Sequence, residues 1–344
     1  MKLFLVYLSC VSDLFCWVVQ WPRKPCETNS VAILRPLVFR SPRQIFDLIA
    51  VKSIFSVLLA KPNPVMQFWL PGGGKVLDAG KLLAHRLKLP CITVPLSAAT
   101  CAGWTALANL YTPDGAFERD VVLDRCPELL VFDHAFIRQA PQRTLASGIA
   151  DALAKWYEAS VSSADSSDGL VQQAVQMARV LRDQLLIDSP VAIEDSSSAA
   201  WERTIEACGL TAGVMGGLGG ARCRTVAAHA VHNGLTQLPA CHHVLHGEKV
   251  GFGILVQLRL EEHLGDNRLA AQAHRQLKPV LKSLGLPVCL DDLGLANVTA
   301  SELQTVCEFA CQDGSDLHHL PFKVTPDALQ DALIGLSERS PVRS

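Results

Sequence analysis

Five of the chain's eleven histidines, His229, His232, His242, His243 and His246, fall within eighteen residues. They stand in two segments, Thr225-Val-Ala-Ala-His-Ala-Val-His-Asn-Gly234 and Cys241-His-His-Val-Leu-His-Gly-Glu-Lys249. On a helix, residues i and i+3 share a face, so His229 and His232 present their imidazoles side by side. A turn around Leu238-Pro239 brings His246, at the start of the next helix, back toward them. Two neutral imidazoles and one carboxylate suit Zn²⁺ or Fe²⁺ and leave coordination positions open for a substrate. A single histidine on an alanine-rich helix is more commonly a packed residue. The local pattern selects no carboxylate, so spacing alone leaves ligation and packing both open.

A second chemical segment is Leu70-Pro-Gly-Gly-Gly-Lys-Val-Leu-Asp-Ala-Gly-Lys81. Backbone N–H groups at the start of a helix, unpaired and at the positive end of its dipole, stabilise a pyrophosphate. Three glycines by themselves are also a common turn.

These groups need elements to position them. From Pro71 to about Ala140 the pattern alternates: a helix after the glycines, a buried strand at Cys91–Val94, and another at Glu128–Phe132. Tyr111-Thr-Pro-Asp-Gly115 is a turn signal. After Pro141 strand signals cease. Helical periodicity runs through Thr144–Ser160, Gly169–Leu186, Ala199–Leu210, Thr225–Leu235, Val250–Leu264 and Leu269–Leu284. An α/β domain over 71–140 followed by an all-helical domain over 141–344 is expected. Residues 1–70 carry six prolines and no clean period, and they are expected to be irregular, with order starting near Pro71.

The composition suits a globular protein: 344 residues, 49% hydrophobic, 19% charged, with 31 basic and 33 acidic residues and no long run of either sign. That balance gives no electrostatic reason to expect nucleic acid or an acidic membrane as partner. Twelve cysteines without a C-x-x-C pair read as buried free thiols of a reducing cytoplasm. The first twenty residues resemble a secretory signal, but Asp13 interrupts the apolar run and no clean cleavage site follows. Asp13 also weakens any membrane span, so a cytoplasmic protein is expected.

The stretches AAHAVHNGLTQL and HGEKVGFGILVQL, with Gly148-Ile-Ala-Asp-Ala-Leu-Ala-Lys-Trp-Tyr-Glu158, resemble the metal-binding helices of glycerol dehydrogenases, within the iron-containing alcohol dehydrogenases. The resemblance implies the dehydroquinate synthase-like architecture, an α/β nucleotide domain followed by an all-α metal-binding domain. It implies Asp151, His229 and His246 as metal ligands, with Asp151 also facing substrate. His232 is not a family ligand; proton relay, substrate orientation and packing remain open for it. Gly-Gly-Gly-Lys-x-x-Asp resembles the family's cofactor loop and implies contacts to NAD or NADP from Gly73, Gly74, Lys75, Val76, Leu77 and Asp78. The following stretch implies further contacts from Leu96, Ser97, Ala98, Ala99, Thr105, Leu107 and Tyr111. The implied activity is hydride transfer between nicotinamide and a small alcohol or 2-hydroxy/2-oxo acid, with Zn²⁺ or Fe²⁺ as Lewis acid, in a homo-oligomer.

Two departures qualify the resemblance. Cys101 stands where glycerol dehydrogenases carry an Asp that meets the polyol, and a thiol accepts hydrogen bonds weakly. With L-H-H-L-P-F-K-V-T-P-D-A-L near the C-terminus, this points toward the hydroxycarboxylate dehydrogenase branch and predicts poor glycerol oxidation. The match also begins at about Pro71 and runs to about Leu333. Residues 1–70 therefore read as a divergent or mis-specified segment, and a pocket open on its adenine side with weak dinucleotide binding is expected. Two alternatives follow: an inactive metal-binding relative lacking a complete cofactor site, and a dehydroquinate synthase-like lyase. The H-A-V-H-N-G and H-G-E-K-V motifs disfavour the lyase.

Overall fold

The computed structural model describes residues 17–20 and 66–337, except 164, 221 and 222. Most of the segment 1–70 lies outside the described residues, as does the signal-like run apart from its end. Strand β1 (Trp17–Gln20) pairs antiparallel with β2 (Met66–Gly72). β2 begins at Met66 rather than near Pro71, because Met-Gln-Phe-Trp-Leu is a strand-forming run that the preceding prolines do not interrupt.

β2 delivers the chain to the glycines and helix α1 (Gly74–Leu87), which returns it to β3 (Cys91–Pro95). β2 and β3 pair in parallel, with Trp69 opposite Ile92 and Gly72 opposite Pro95. The α1 face bearing Leu77, Leu83 and Ala84 packs with Leu70, Leu89 and Cys91, a small core beneath the glycine turn. Only Leu129–Leu130 of the expected strand Glu128–Phe132 pairs with β3, as β6. Among the described residues it is a sheet edge with no further strand to extend it, and Leu129 is exposed. The turn at Tyr111–Gly115 joins a hairpin, β4 (Leu107–Tyr111) and β5 (Phe117–Val122), with Gly115 at φ +96°.

From Gln142 onward the described chain is helical: α2 (Gln142–Ser162), α3 (Gly169–Glu194), α4 (Ala199–Glu206), α5 (Ala212–Gly219), α6 (Ala227–Leu235), α7 (His246–His263), α8 (Arg268–Ser283), α9 (Ala300–Ala310) and α10 (Pro326–Ile334). Periodicity over Ala199–Leu210 predicted one helix. The chain instead passes through a π-turn at Ala207–Thr211 into α5, whose four glycines hide it from a propensity reading. The main core lies among α2, α6 and α7, with Ile149, Leu153, Val231, Phe252 and Ile254 fully buried.

Glycines set how closely α2 approaches α7 and the loop after β3. A Cβ at Gly247 would collide with the Ser147 carbonyl oxygen, and one at Gly148 with that of Ala98. No helix among the described residues is long and apolar enough to cross a membrane. The described cysteines are free, and most are buried.

Candidate active site

The close crossing of α2 and α7 sets Asp151, within the buried part of α2, against His246 at the first position of α7. Asp151 Oδ1 lies 3.5 Å from His246 Nε2 and 3.3 Å from His229 Nε2 on α6. One ligand atom from each of the three residues lies within 4.8 Å of the others. A carboxylate oxygen and two imidazole nitrogens converging from three helices is a donor set that fits a divalent transition-metal ion.

Each imidazole is held by a group behind it. The His229 Nδ1 lies 2.7 Å from Glu158 Oε2, while Glu158 Oε1 accepts the backbone N–H groups of Val226 (2.7 Å) and His229 (3.0 Å). Glu158 is thus a fully buried carboxylate at the start of α6, where the unpaired N–H groups and the helix dipole favour negative charge. Its bond fixes the proton on Nδ1 and aims Nε2 at Asp151, the carboxylate–histidine arrangement found behind metal ligands.

His246 Nδ1 lies 2.9 Å from His232 Nε2, and His232 Nδ1 lies 2.8 Å from Asn233 Oδ1. Since an amide oxygen only accepts, His232 carries its proton on Nδ1 and accepts from His246 at Nε2. That leaves His246 Nε2 free to ligate. His232 is thereby placed to orient His246.

Burial alone would push the Asp151 pKa up, but the Lys155 ammonium and the two histidines hold it well below the usual carboxylate range. For His229 burial pulls the pKa down, and Glu158 with Asp151 raises it to about 9. An ion that takes Nε2 must displace that proton. Burial lowers the pKa of His246 and, further, that of His232.

If Glu158 orients His229, then Glu158→Gln reduces metal affinity by about 10–100-fold without removing a ligand. Chelator competition checks this; unchanged affinity would assign Glu158 to packing.

The same trio opens onto a cleft of about 630 Å³ whose far wall is the glycine turn. Gly73, Gly74, Lys75, Val76, Asp78, Ser97, Ala99, Thr105, Leu107 and Tyr111 line it, together with Cys101 and His232. Among the predicted cofactor residues, Leu77, Leu96 and Ala98 do not line it. Leu77 turns into the small core, and Ala98 packs against Gly148.

Gly73 caps α1 with no side chain over its N–H groups, and a Cβ there would meet open space. Lys75 Nζ sits 4.5 Å from the Tyr111 ring centroid, and burial lowers its pKa. Asp78 is engaged within the protein: it pairs with Lys81 at 2.9 Å and accepts from the Asn109 N–H at 3.2 Å. Lys81 continues to Thr105 Oγ1 at 2.9 Å, which ties the hairpin to α1.

Sequence reasoning passed over Glu158, Lys155, Asn233 and Arg224. Lys155 and Glu158 stand four and seven residues beyond Asp151 on α2, a spacing that places all three on one face, so their signal was present. Arg224 belongs to a turn and carried none.

No family profile matches the chain. An uncharacterised oxidoreductase of Synechocystis is 59% identical over 263 residues, 76% of this chain and 68% of that protein. A glycerol dehydrogenase of Pseudomonas putida is 38% identical over 273 residues, 76% of this chain and 72% of its own length. The chain belongs to the glycerol dehydrogenase-like family. Escherichia coli hydroxycarboxylate dehydrogenase A is 37% identical over 267 residues, 76% of this chain and 72% of that one. The crystal structure of Schizosaccharomyces pombe glycerol dehydrogenase superposes with a TM-score of 0.75 at 31% identity, covering 83% of this chain and 73% of that one. The glycerol dehydrogenase-like fold, an α/β part with a helical part behind it, accounts for one cleft holding both the glycine turn and the histidine cluster.

Proposed function

We propose that this oxidoreductase transfers hydride between a nicotinamide dinucleotide and a small alcohol or 2-hydroxy/2-oxo acid, with Asp151, His229 and His246 holding one divalent metal ion. The convergence of those three ligand atoms in the cleft that the glycine turn lines is the observation that carries this reading. A bound ion would supply Lewis acidity toward the substrate oxygen, and a bound nicotinamide would supply the hydride chemistry.

The chain's own residues do the positioning. Asp151 brings the one ligand charge, Glu158 and His232 set which imidazole nitrogen faces the ion, and the open N–H groups at Gly73 and Gly74 suit a pyrophosphate. Zn²⁺ is the preferred ion for two imidazoles and a carboxylate, with Fe²⁺ as the alternative; either NAD or NADP serves as cofactor. Free thiols support a cytoplasmic setting. Val180, Ile187 and Val191 form an exposed apolar stripe on α3 and support a homo-oligomer, which sedimentation velocity tests.

Cys101 lies buried at the cleft, and burial pushes its thiol pKa up, so it is a neutral and weak acceptor. Relative to a carboxylate there, a polyol loses a charged hydrogen bond, worth about 1.5–3 kcal/mol, or roughly 10–100-fold in rate. We expect kcat/KM for NAD(P)H-dependent reduction of 2-oxo acids to exceed that for glycerol oxidation by at least this factor. Oxidation of NAD(P)H with 2-oxo acids and dihydroxyacetone, and reduction of NAD(P) with glycerol, measure it. Equal or better efficiency with glycerol would reject the role given to Cys101. Absence of turnover with every substrate would favour an inactive metal-binding relative.

A further inference from the structure

Two cations border the cleft beside Cys101 and have no place in the reading so far. Lys155, 5% exposed at its side chain, stands one turn beyond Asp151 on α2, with Nζ 3.4 Å from Asp151 Oδ1. That is a long contact for an ion pair, leaving ammonium N–H groups for another partner.

Arg224 reaches the cleft from the turn before α6, and its buried Nε finds no hydrogen-bond partner. Its stem lies over Gly216 of α5, where a Cβ would stand 2.5 Å from Arg224 Cδ. The glycine makes room for the arginine. Among the described residues no hydrogen bond or ion pair engages the Arg224 guanidinium, so its fork at the cleft wall is open to an anion.

Charge counting points the same way. Lys155, Asp151, Arg224 and Lys81 act electrostatically on Cys101. Lys81 is balanced by Asp78. The remainder is two cations against one carboxylate, a balance of +1, and a divalent ion on Asp151 raises it to +3. Glu158, a further carboxylate acting on Lys155, is taken up by His229 and two backbone N–H groups. A neutral polyol would leave this excess buried and uncompensated; an anion relieves it.

We propose that Lys155 and Arg224 form a carboxylate-binding pocket beside Cys101, which selects 2-oxo and 2-hydroxy acids by their carboxylate while their reacting oxygen faces Asp151, His229 and His246. Arg224 offers the planar fork that matches a carboxylate, and Lys155 adds a point charge from α2. The proposal rests on the metal-dependent reading above, and its test separates the two.

Oxamate, an unreactive 2-oxo acid analogue, and its uncharged amide oxamide are titrated calorimetrically into the full chain loaded with Zn²⁺. The pocket predicts oxamate binding at least tenfold tighter than oxamide. Arg224→Gln and Lys155→Gln each weaken oxamate by about tenfold or more and leave oxamide unchanged, whereas Arg224→Lys retains part of the affinity. Metal content and circular dichroism are read on every variant. Equal binding of the two ligands by the unaltered chain overturns the proposal, even if no variant folds. So does Arg224→Gln that keeps fold, metal and oxamate affinity. Oxamate binding that depends on Arg224, without NAD(P)H oxidation by any carbonyl compound, would uphold the pocket and reject the hydride reading. Reduction of acidic and neutral carbonyls with equal KM would do the reverse.

Discussion

His246→Ala leaves the fold intact and abolishes stoichiometric metal retention, lowering turnover by about 10³-fold, the several kcal/mol a Lewis acid supplies. His246 begins α7, where its removal opens space at the cleft rather than in the core, and its side chain is partly exposed. Asp151→Asn is expected to lose metal equally, but with a second penalty. Asp151 is the ion-pair partner of the buried Lys155, and without it the ammonium is left uncompensated, a change that typically costs about 3–5 kcal/mol. The metal-free Asp151→Asn chain should therefore melt well below the metal-free His246→Ala chain. Metal analysis after dialysis, paired with thermal denaturation without metal, checks both. Full metal content in His246→Ala would remove it from the ligand set. Identical melting of the two metal-free variants would show that Lys155 does not depend on Asp151.

Gly247→Ala is expected to destabilise the chain by about 3 kcal/mol, at the upper end of overpacking costs, and to lose metal binding with it. The obstacle is backbone: the new methyl would collide with the Ser147 carbonyl oxygen, and Gly247 N donates to Ser147 Oγ at 3.0 Å across the same contact. Neither helix can give way by a rotamer change. α7 must shift, and His246, the adjacent residue, shifts with it away from Asp151. Gly251, one turn further along the same face, is the control. A Cβ there meets only the Ala150 methyl, at 3.0 Å, so Gly251→Ala should cost far less. A fall in Tm of roughly 6–12 °C for Gly247→Ala is expected, with a small change for Gly251→Ala. Equal melting temperatures would show that the α2–α7 approach is not limited at Gly247.

Much of this site was legible before any fold was known. The i, i+3 spacing of His229 and His232 follows from the helical repeat, and the turn at Leu238-Pro239 sets His246 at a helix start, where the structure has it. The glycine turn between a strand and a helix, and the turn ending at Gly115, were equally local, because φ/ψ preference acts within a few residues.

Distances across the fold were another matter. Asp151 meets His246 from 95 residues away only because Gly247 lets α7 lie against the α2 backbone at Ser147. No periodicity encodes which glycine faces which carbonyl. Glu158 was in the right helical register, yet its role depends on the N-terminus of α6 docking onto it. Arg224 gained its position from a glycine-rich helix that propensity reads as loop, since α5 is held by packing rather than by its own helical preference. Local chemistry determined which residues were equipped to act. Tertiary packing, which alone brings buried charges within reach of one another and excludes the water that would screen them, decided which of them share a site.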